Sequence, residues 1–213
     1  MNHKLKKFLK KIIPRAVLIQ RLKHKNGNVF LTFDDGPHSQ HTLEVLSILK
    51  KYNARAMFFI VGDRLVRSRS VLKMISDEGH FIGNHSYSHN DLHKYNIFKY
   101  YKDIKNCQKE ILVNVSSNVK FFRPPNGLIN LKSIFIPRLL GMRILLFTLN
   151  SNDWDCDSIE KAKTIANNLM RDVNSGDIIL MHDDNPYTPF ILEKLLYYLY
   201  EKKINMDISN HMI

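Results

Sequence analysis

Two adjacent carboxylates, Asp34 and Asp35, stand where a short apolar stretch at 28–31 gives way to Gly36-Pro37. The stretch is typical of a strand and Gly-Pro ends it, so both acids lie where α/β folds place their chemistry. Side chains alternate along a strand, so the two carboxylates leave the backbone in different directions. Acids this close repel each other unless a cation lies beside them. A bound metal would resolve the conflict, with one acid as ligand and the other free as a base. The alternative is an ordinary turn rich in Asp and Gly.

Histidines extend this set of groups. His85 and His89 are four residues apart, which places two imidazoles on one face of a helical turn, although such a pair alone is more often incidental. Two imidazoles and one carboxylate make a three-ligand metal site that keeps positions open for water and substrate. The same ligands suit Fe(II) in an oxygenase. That chemistry has no use for Asp34 or His182, whereas hydrolysis needs both a base and an acid.

Alternating strands and helices must position these groups. Periodicity predicts helices over about 39–51, 66–77, 96–113, 130–139, 158–171 and 188–202. Strands are predicted at 28–31, 56–61, 80–83, 119–122, 143–148 and 177–181, with a further short one at 204–208. The alternation predicts a mainly parallel α/β sheet. About seven strands in 213 residues favour a distorted, incomplete (β/α) barrel, whose carboxyl-end face would gather the polar groups into one pocket.

Positive charge is concentrated before residue 26. The formal net charge is +12, and residues 1–25 hold nine Lys and Arg but no acidic residue. We therefore predict a basic N-terminal arm, 1–25, and one globular domain, 26–213. Apolar side chains recur in the arm with helical spacing, opposite the lysines: Leu5, Phe8, Leu9, Ile12 and Ile13. This pattern is typical of an amphipathic helix on an anionic membrane surface; a helix packed on the domain and a solvated tail are the alternatives.

Composition disfavours several functions. Residues 26–213 carry little of the net charge and show no basic stripe with interleaved aromatic residues, so nucleic-acid binding is not expected. No stretch approaches the roughly 18 apolar residues of a membrane span, and Pro14-Arg15 interrupts the apolar part that a signal peptide needs.

Cys107 and Cys156 match no metal or redox spacing, so we expect buried free thiols in a reducing compartment. We expect a cytoplasmic location, with peripheral attachment to the inner face of the cell membrane through the arm.

Five ordered motifs make the sequence resemble the NodB-type polysaccharide deacetylases, carbohydrate esterase family four. The motifs are Thr32-Phe33-Asp34-Asp35-Gly36, His85-Ser86-Tyr87-Ser88-His89, Arg123-Pro124-Pro125-Asn126-Gly127, Asp153-Trp154 and Leu180-Met181-His182. The resemblance covers most of the chain, from about Val29 to the last predicted helix, and five motifs in the right order are highly specific.

The resemblance implies a distorted (β/α) barrel with a divalent metal, usually zinc, although cobalt or nickel could use the same ligands. The implied ligands are Asp35, His85 and His89. By the same resemblance Asp34 is the catalytic base, Arg123 holds and tunes that base, and His182 is the general acid. The implied reaction is the hydrolytic removal of N-acetyl groups from amino sugars.

Three further residues are candidates for substrate binding. A backbone N–H near Asn126 would donate a hydrogen bond to the developing oxyanion. Leu180 and Trp154 would wall an apolar notch for the acetyl methyl, with ordinary core packing as the alternative for both. Asn126 stands where the family often has an aromatic residue, so sugar stacking would be lost at that position.

A second departure from the family's pattern concerns the partner of the general acid, His182. Asn150 stands where the family usually has an Asp that orients and charges the acid histidine, so we expect the pKa of His182 to be lower than usual. Asp153 could compensate, or could instead cap the loop.

We expect a metal-dependent deacetylase of an N-acetylated glycan or glycolipid. One alternative is the removal of formyl or another acyl group from a lipid-linked amino sugar. The other is an inactive glycan-binding relative, and the presence of Asp34 and all three ligands argues against it.

Overall fold

The structure of the protein is a computed structural model that describes residues 13–22, 27–116 and 118–206. The helices of this part are α1 (His41–Lys51), α2 (Leu65–Asp77), α3 (Ile97–Asn114), α4 (Leu131–Leu139), α5 (Ile159–Asp172) and α6 (Thr188–Glu201). The strands are β1 (Leu18–Ile19), β2 (Phe30–Asp34), β3 (Ala56–Ile60), β4 (Phe81–Asn84), β5 (Phe121–Phe122), β6 (Arg143–Leu145), β7 (Leu149–Asn150) and β8 (Ile178–His182). The six helices predicted between residues 39 and 202 are therefore all present, with bounds that differ by no more than two residues.

The eight strands form one sheet in the order β1-β6-β5-β4-β3-β2-β8-β7. Each ladder between neighbouring strands is parallel. The sheet curls into a half-barrel with helices on its outside, which confirms the predicted fold class. All strands therefore point their carboxyl ends at the same face, where side chains from distant parts of the sequence can meet.

The core has one layer on each side of the sheet. Along β3, Phe58 and Ile60 pack with the helices, whereas Met57 and Phe59 belong to a second cluster inside the half-barrel. This division follows from the alternation of side chains along a strand. Both faces are apolar, and all five residues of β3 are buried, as expected for a parallel strand covered on both sides. The inner cluster forms a packed floor below the carboxyl-end face.

The first strand lies inside the segment that was assigned to the arm. Leu18 and Ile19 pair with Ile144 and Leu145 at one edge of the sheet, so this part of residues 1–25 belongs to the folded unit. The sheet has eight strands, one more than predicted. The predicted amphipathic helix lies, apart from Ile13, outside the described residues.

Several predicted strands differ from the structure: β2 covers Phe30–Asp34 instead of 28–31, and β5 covers only Phe121–Phe122 of 119–122. Two others differ more. The apolar run 143–148 is not one strand: β6 ends at Leu145, and a separate strand, β7, pairs with β8 from the other side. Instead of a strand from 204, the structure shows a single bridge between Asn28 and Asn205, and residues after 206 are outside the described part. Within the described ranges, no helix is both long enough and apolar enough to cross a membrane.

Candidate active site

The sequence-predicted polar groups converge at the carboxyl ends of the strands. Asp34 is the last residue of β2 and His182 the last of β8, and the two stand opposite each other in the register of these strands. His85 follows β4 directly, and Arg123 follows β5. The four positions belong to four separate regions of the sequence, and only the parallel topology brings them to one face.

Three side chains form a compact group with the geometry of a metal site. The ligand atoms of Asp35, His85 and His89 all lie within 4.8 Å of one another. Nε2 of His89 is 2.9 Å and Nε2 of His85 is 3.5 Å from Oδ1 of Asp35. That oxygen is buried and accepts no hydrogen bond. Such an orphaned acceptor facing two imidazole nitrogens fits a divalent cation, which all three atoms could ligate.

Neighbouring backbone fixes these ligands. Nδ1 of His85 donates a hydrogen bond to the carbonyl oxygen of Arg123 at 2.8 Å, which leaves Nε2 free as the ligand atom. Asp35 and His89 have left-handed backbones, with φ values of 74° and 49°. Non-glycine residues there typically store about 1–3 kcal/mol each and cluster at functional sites. The local turns thus aim both side chains at one point.

The charge states of His85 and Asp35 suit ligation, whereas a metal must displace a proton from His89. Burial lowers the pKa of His85, which favours the neutral imidazole that binds metals. Burial alone would raise the pKa of Asp35, but the contact with His89 and the positive charge of the surrounding imidazoles hold it below its usual range. Burial likewise lowers the pKa of His89, but the contact with Asp35 outweighs it and leaves that pKa raised.

Asp34 is held apart from the ligand group by a fully buried arginine. Nη1 of Arg123 donates to Oδ1 of Asp34 at 2.7 Å and to the hydroxyl of Thr32 at 2.8 Å. The other guanidinium nitrogens donate to the carbonyl oxygens of Leu145 and Leu146. The guanidinium carbon also lies 4.2 Å from the ring centroid of Phe59. Oδ2 of Asp34 stays on the cavity side, 3.6 Å from Nε2 of His85, so one carboxylate oxygen is anchored and the other faces the site.

His182 is oriented by Asp153, not by the residue at position 150. Nδ1 of His182 lies 2.7 Å from Oδ1 of Asp153, and the backbone N–H of His182 donates to Oδ2 at 2.9 Å. Ser151 and Thr188 also donate hydroxyl hydrogen bonds to this fully buried carboxylate. Asn150 accepts a hydrogen bond from the backbone of Asn152.

The expectation of a low acid pKa is therefore wrong. Burial alone lowers the pKa of His182, but the hydrogen bond and charge of Asp153, together with the charges of Asp34 and Asp35, raise it to about 9. Asp153 supplies the carboxylate that the resemblance to the family led us to expect at position 150. His182 is thus protonated at neutral pH, with Nε2 available to donate.

This assignment predicts opposite effects for two variants. An acid must be protonated, so activity should fall as the pH rises through the pKa of His182. Asp153→Asn removes the charge that raises this pKa, so the alkaline limb of the pH profile should move down by about 1–3 units. Asn150→Asp adds a carboxylate without a hydrogen bond to His182, so we expect a smaller shift, upward. A larger shift in Asn150→Asp than in Asp153→Asn would contradict the assignment.

A cavity of about 470 Å³ opens above these groups. Its lining includes the three candidate substrate residues, Asn126, Leu180 and Trp154. Leu180 is buried, whereas Trp154 is 62% exposed at the mouth, so ordinary core packing does not explain the tryptophan. Asn126 is exposed in a left-handed turn with φ 56°, and both Asn126 and Gly127 line the cavity.

Phe147 also lines this cavity, which sequence reasoning did not predict. It lies within an apolar run that reads as a continuous strand, and the end of β6 at Leu145 turns it into the site. Its ring is 3.7 Å from the point where a Cβ on Gly127 would lie. An aromatic ring thus borders the pocket next to Asn126, although position 126 itself has none.

Gly36 packs directly against a buried acid that follows His182. A Cβ on Gly36 would lie 2.2 Å from Oδ2 of Asp183. Burial raises the pKa of Asp183 to about 7. Thr42 donates a hydrogen bond to Oδ2, while Oδ1 has no hydrogen-bond partner. Only glycine fits between this carboxyl group and the backbone that carries Asp35.

We therefore expect Gly36→Ala to lower the free energy of unfolding by about 1–3 kcal/mol through overpacking. The same change should displace Asp35 and weaken metal binding. Adding Asp183→Ala removes the atoms that clash, so the double variant should regain part of the loss. Urea unfolding of wild type, both single variants and the double variant measures this coupling. Strictly additive effects would show that the contact is not the cause.

Solved structures of similar shape first establish the fold. A carbohydrate esterase family four pseudoenzyme from Bacillus anthracis superimposes with a TM-score of 0.85, covering 95% of this chain and 71% of that one at 24% identity. At this identity the likeness establishes the fold. The family model for polysaccharide deacetylase matches residues 21–145. The chain therefore belongs to the polysaccharide deacetylase family, which confirms the resemblance drawn from its motifs.

Two proteins of similar sequence are named as deacetylases, which agrees with membership of this family. A peptidoglycan N-acetylglucosamine deacetylase of Bacillus cereus is 31% identical over 192 residues, covering 88% of this chain and 88% of the relative. A peptidoglycan N-acetylglucosamine deacetylase of Listeria monocytogenes is 29% identical over 189 residues, covering 88% of this chain. The chain spans 39% of the length of that Listeria relative.

Proposed function

We propose that the protein removes N-acetyl groups hydrolytically from amino sugars of an oligosaccharide, polysaccharide or lipid-linked glycan. One observation carries the proposal: a possible base, Asp34, and a possible acid, His182, face one cavity beside a separate Asp-His-His group. Hydrolysis of an amide needs these two proton-transfer roles. The names of the relatives, which are deacetylases of N-acetylglucosamine, support the same substrate class.

We propose zinc as the metal, held by Asp35, His85 and His89. The mixture of one carboxylate and two imidazoles suits Zn²⁺, although cobalt and nickel accept the same donors. When bound, such an ion supplies Lewis acidity, which polarises a carbonyl oxygen and makes water more acidic.

The remaining roles belong to side chains of this protein. Asp34 accepts a proton from the attacking water through its cavity-facing oxygen, while Arg123 holds the other oxygen and stabilises the carboxylate. His182 donates its proton to the sugar nitrogen as the C–N bond breaks, so the products are acetate and an amine. Asp153 positions His182 and keeps it protonated. A backbone N–H near Asn126 donates to the developing oxyanion, and Leu180 and Trp154 bound the space for the methyl group.

Acetate release from N-acetylglucosamine oligomers tests the proposal. The purified protein is first stripped by chelation, and activity is then measured before and after zinc, cobalt or nickel is restored. We expect little release without metal and recovery on its return. Metal binding without acetate release from these oligomers would indicate a different acyl group or a lipid-linked sugar, and the absence of both metal binding and acetate release would contradict the proposal.

Two alternative functions are distinguished by the same assay. A deformylase of a lipid-linked amino sugar would release formate from an N-formyl substrate faster than acetate from the acetyl analogue. An inactive glycan-binding relative would bind oligomers without releasing acid. The pseudoenzyme from Bacillus anthracis shows that this fold occurs without activity, but Asp34 and a complete ligand group favour an enzyme here.

We also propose a cytoplasmic location, with peripheral attachment at the inner face of the cell membrane. The nine basic residues of 1–25 support it, as do the two buried free cysteines. Cell fractionation tests it: the protein should sediment with membranes at low salt and be released by high salt, without detergent. Recovery outside the cytoplasm would contradict it.

A further inference from the structure

One helix carries a continuous apolar row on its solvent side. Leu131, Phe135 and Leu139 of α4 follow one another at four-residue spacing and are 66%, 67% and 77% exposed. The opposite side of α4 is anchored by Ser133, Ile136 and Pro137, which are buried. Residues at i, i+4 and i+8 share a helix face. Large apolar side chains gathered in this way mark an interaction surface more often than isolated ones do.

The surroundings of this row are basic. Residues 1–33 and 111–152 contain no acidic residue. They supply β1, β6 and β5, which are neighbours at one edge of the sheet, and α4, which contacts β6; their last residues form β7 at the other edge. Exposed or half-buried basic side chains from these stretches are Arg15, Lys120, Lys132, Arg138 and Arg143. The surface is therefore an apolar ridge with positive flanks.

Three arginines at this edge lie close to one another. The side chain of Arg143 donates to the carbonyl oxygen of Arg15 at 3.0 Å. Burial and the positive charges of Arg15 and Arg138 lower the pKa of Arg143. Its Nε is also buried without a hydrogen-bond partner. Mutual repulsion of this kind is relieved by an anionic surface.

The lysine-rich arm joins the fold at the same place. Ile13, the first described residue, packs on the small apolar cluster that also carries Ile134 of α4. Residues 1–12 contain five further lysines and no acid. The described chain therefore begins at the same edge of the molecule as α4, and the lysines of residues 1–12 carry the same sign of charge as the basic residues that flank α4.

We propose that the Leu131-Phe135-Leu139 face of α4 docks onto an anionic lipid bilayer, with these three side chains inserted between head groups. Apolar insertion flanked by basic residues is the pattern of interfacial helices. The turn that ends at Gly127 lines the cavity and lies shortly before α4 in the chain, so the docked helix is joined to one wall of the cavity. The idea that the substrate is a lipid-linked glycan rests on the proposed function, whereas the docking of α4 onto a membrane does not.

Binding of the full chain to vesicles tests the docking. The probes are vesicles of phosphatidylcholine with phosphatidylglycerol and vesicles of phosphatidylcholine alone. We expect binding to the anionic vesicles that weakens with salt, and about tenfold or greater weakening in a Leu131→Ser/Phe135→Ser/Leu139→Ser variant. Val66→Ser/Tyr197→Ser, which changes exposed side chains on α2 and α6, is the matched control and should bind like wild type. Equal binding by both variants overturns the proposal.

A fluorescence measurement locates the inserted face and does not depend on that triple variant. The chain has one tryptophan, Trp154, so Trp154→Phe provides a background without indole fluorescence. Phe135→Trp in that background should shift to the blue on anionic vesicles and be quenched by brominated lipid, whereas Tyr197→Trp should not. No quenching at position 135 overturns the proposal.

Two other occupants of this face of α4, a second copy of the chain and the N-terminal arm, would each give a distinct experimental result. Dimers of the wild type without lipid that dissociate in the triple variant would show that a second copy covers it. A blue-shifted, lipid-independent indole at position 135 that becomes exposed when residues 1–12 are deleted would show that the arm covers it. Either result overturns membrane docking, and neither affects acetate release from soluble oligomers, which tests the chemistry separately.

Discussion

An Asp34→Asn variant should release acetate about 10²–10⁴-fold more slowly than wild type and bind the same amount of metal. The amide keeps the shape of the side chain and can still accept the hydrogen bond from Arg123, now 2.7 Å from Oδ1. It cannot take a proton from water at neutral pH. Because Asp34 lies outside the Asp-His-His group, metal content should not change. The measurements are kcat for acetate release and metal content by mass spectrometry.

Asp155→Asn is the matched control for this variant. Asp155 is an exposed carboxylate on the same loop as Trp154, so its change tests the removal of one negative charge near the cavity. We expect a rate within about twofold of wild type, because a screened surface charge contributes little. A wild-type rate in Asp34→Asn would place the base elsewhere, and loss of metal would make Asp34 a ligand.

A His89→Ala variant should lose the metal and, with it, acetate release at every pH. Losing a supporting residue around a metal site typically weakens affinity about 10–100-fold, and loss of a ligand itself should exceed that. His89 is suited to this test because its side chain is 29% exposed, so truncation leaves little cavity in the core. Metal titration by calorimetry measures the affinity directly.

Thermal unfolding gives this variant a second readout. Metal at about a hundred times its dissociation constant stabilises the folded state by about 2.7 kcal/mol, which corresponds to about 5–10 °C in Tm at this chain length. Wild type should show this rise on adding zinc, and His89→Ala should not. His93→Ala, four residues further on and largely exposed, should behave like wild type. A metal-dependent rise in Tm that survives in His89→Ala would remove His89 from the ligand group.

The fold could be predicted because its elements are regular. Each helix shows apolar periodicity, and each long strand is a continuous apolar run ended by a polar or glycine residue. The misses occur where two residues make a strand. Leu18–Ile19 is too short to show a period and lies between Arg15 and Arg21. The end of β6 at Leu145 and the start of β7 at Leu149 depend on which neighbours these strands find in the sheet. Pairing partners of this kind are tertiary information.

The sequence predicted which residues belong to the site, but it did not predict which of these residues contact one another. The motifs bring Asp34, Asp35 and His85 together because each follows a strand of a parallel sheet. The choice of Asp153 over Asn150 as partner of His182 depends on the turn at Asp153–Asp155, which folds the acid under the histidine. Sequence spacing cannot show that direction. Phe147 was missed for a similar reason, since it looks like any other core residue in its run.

The burial of Arg123 has an evolutionary consequence. Its guanidinium is fully buried and Asp34 is the acid that pairs with it. Removing one partner of a buried ion pair typically costs about 3–5 kcal/mol, because the other charge is left without compensation. A lineage that no longer needs the base therefore cannot replace Asp34 by an apolar residue and keep the same stability. We expect Asp34 to persist after activity is lost, or to change together with Arg123, so that the ligands drift first. In descendants of this protein, an intact Asp34 would then be weaker grounds for activity than an intact Asp-His-His group.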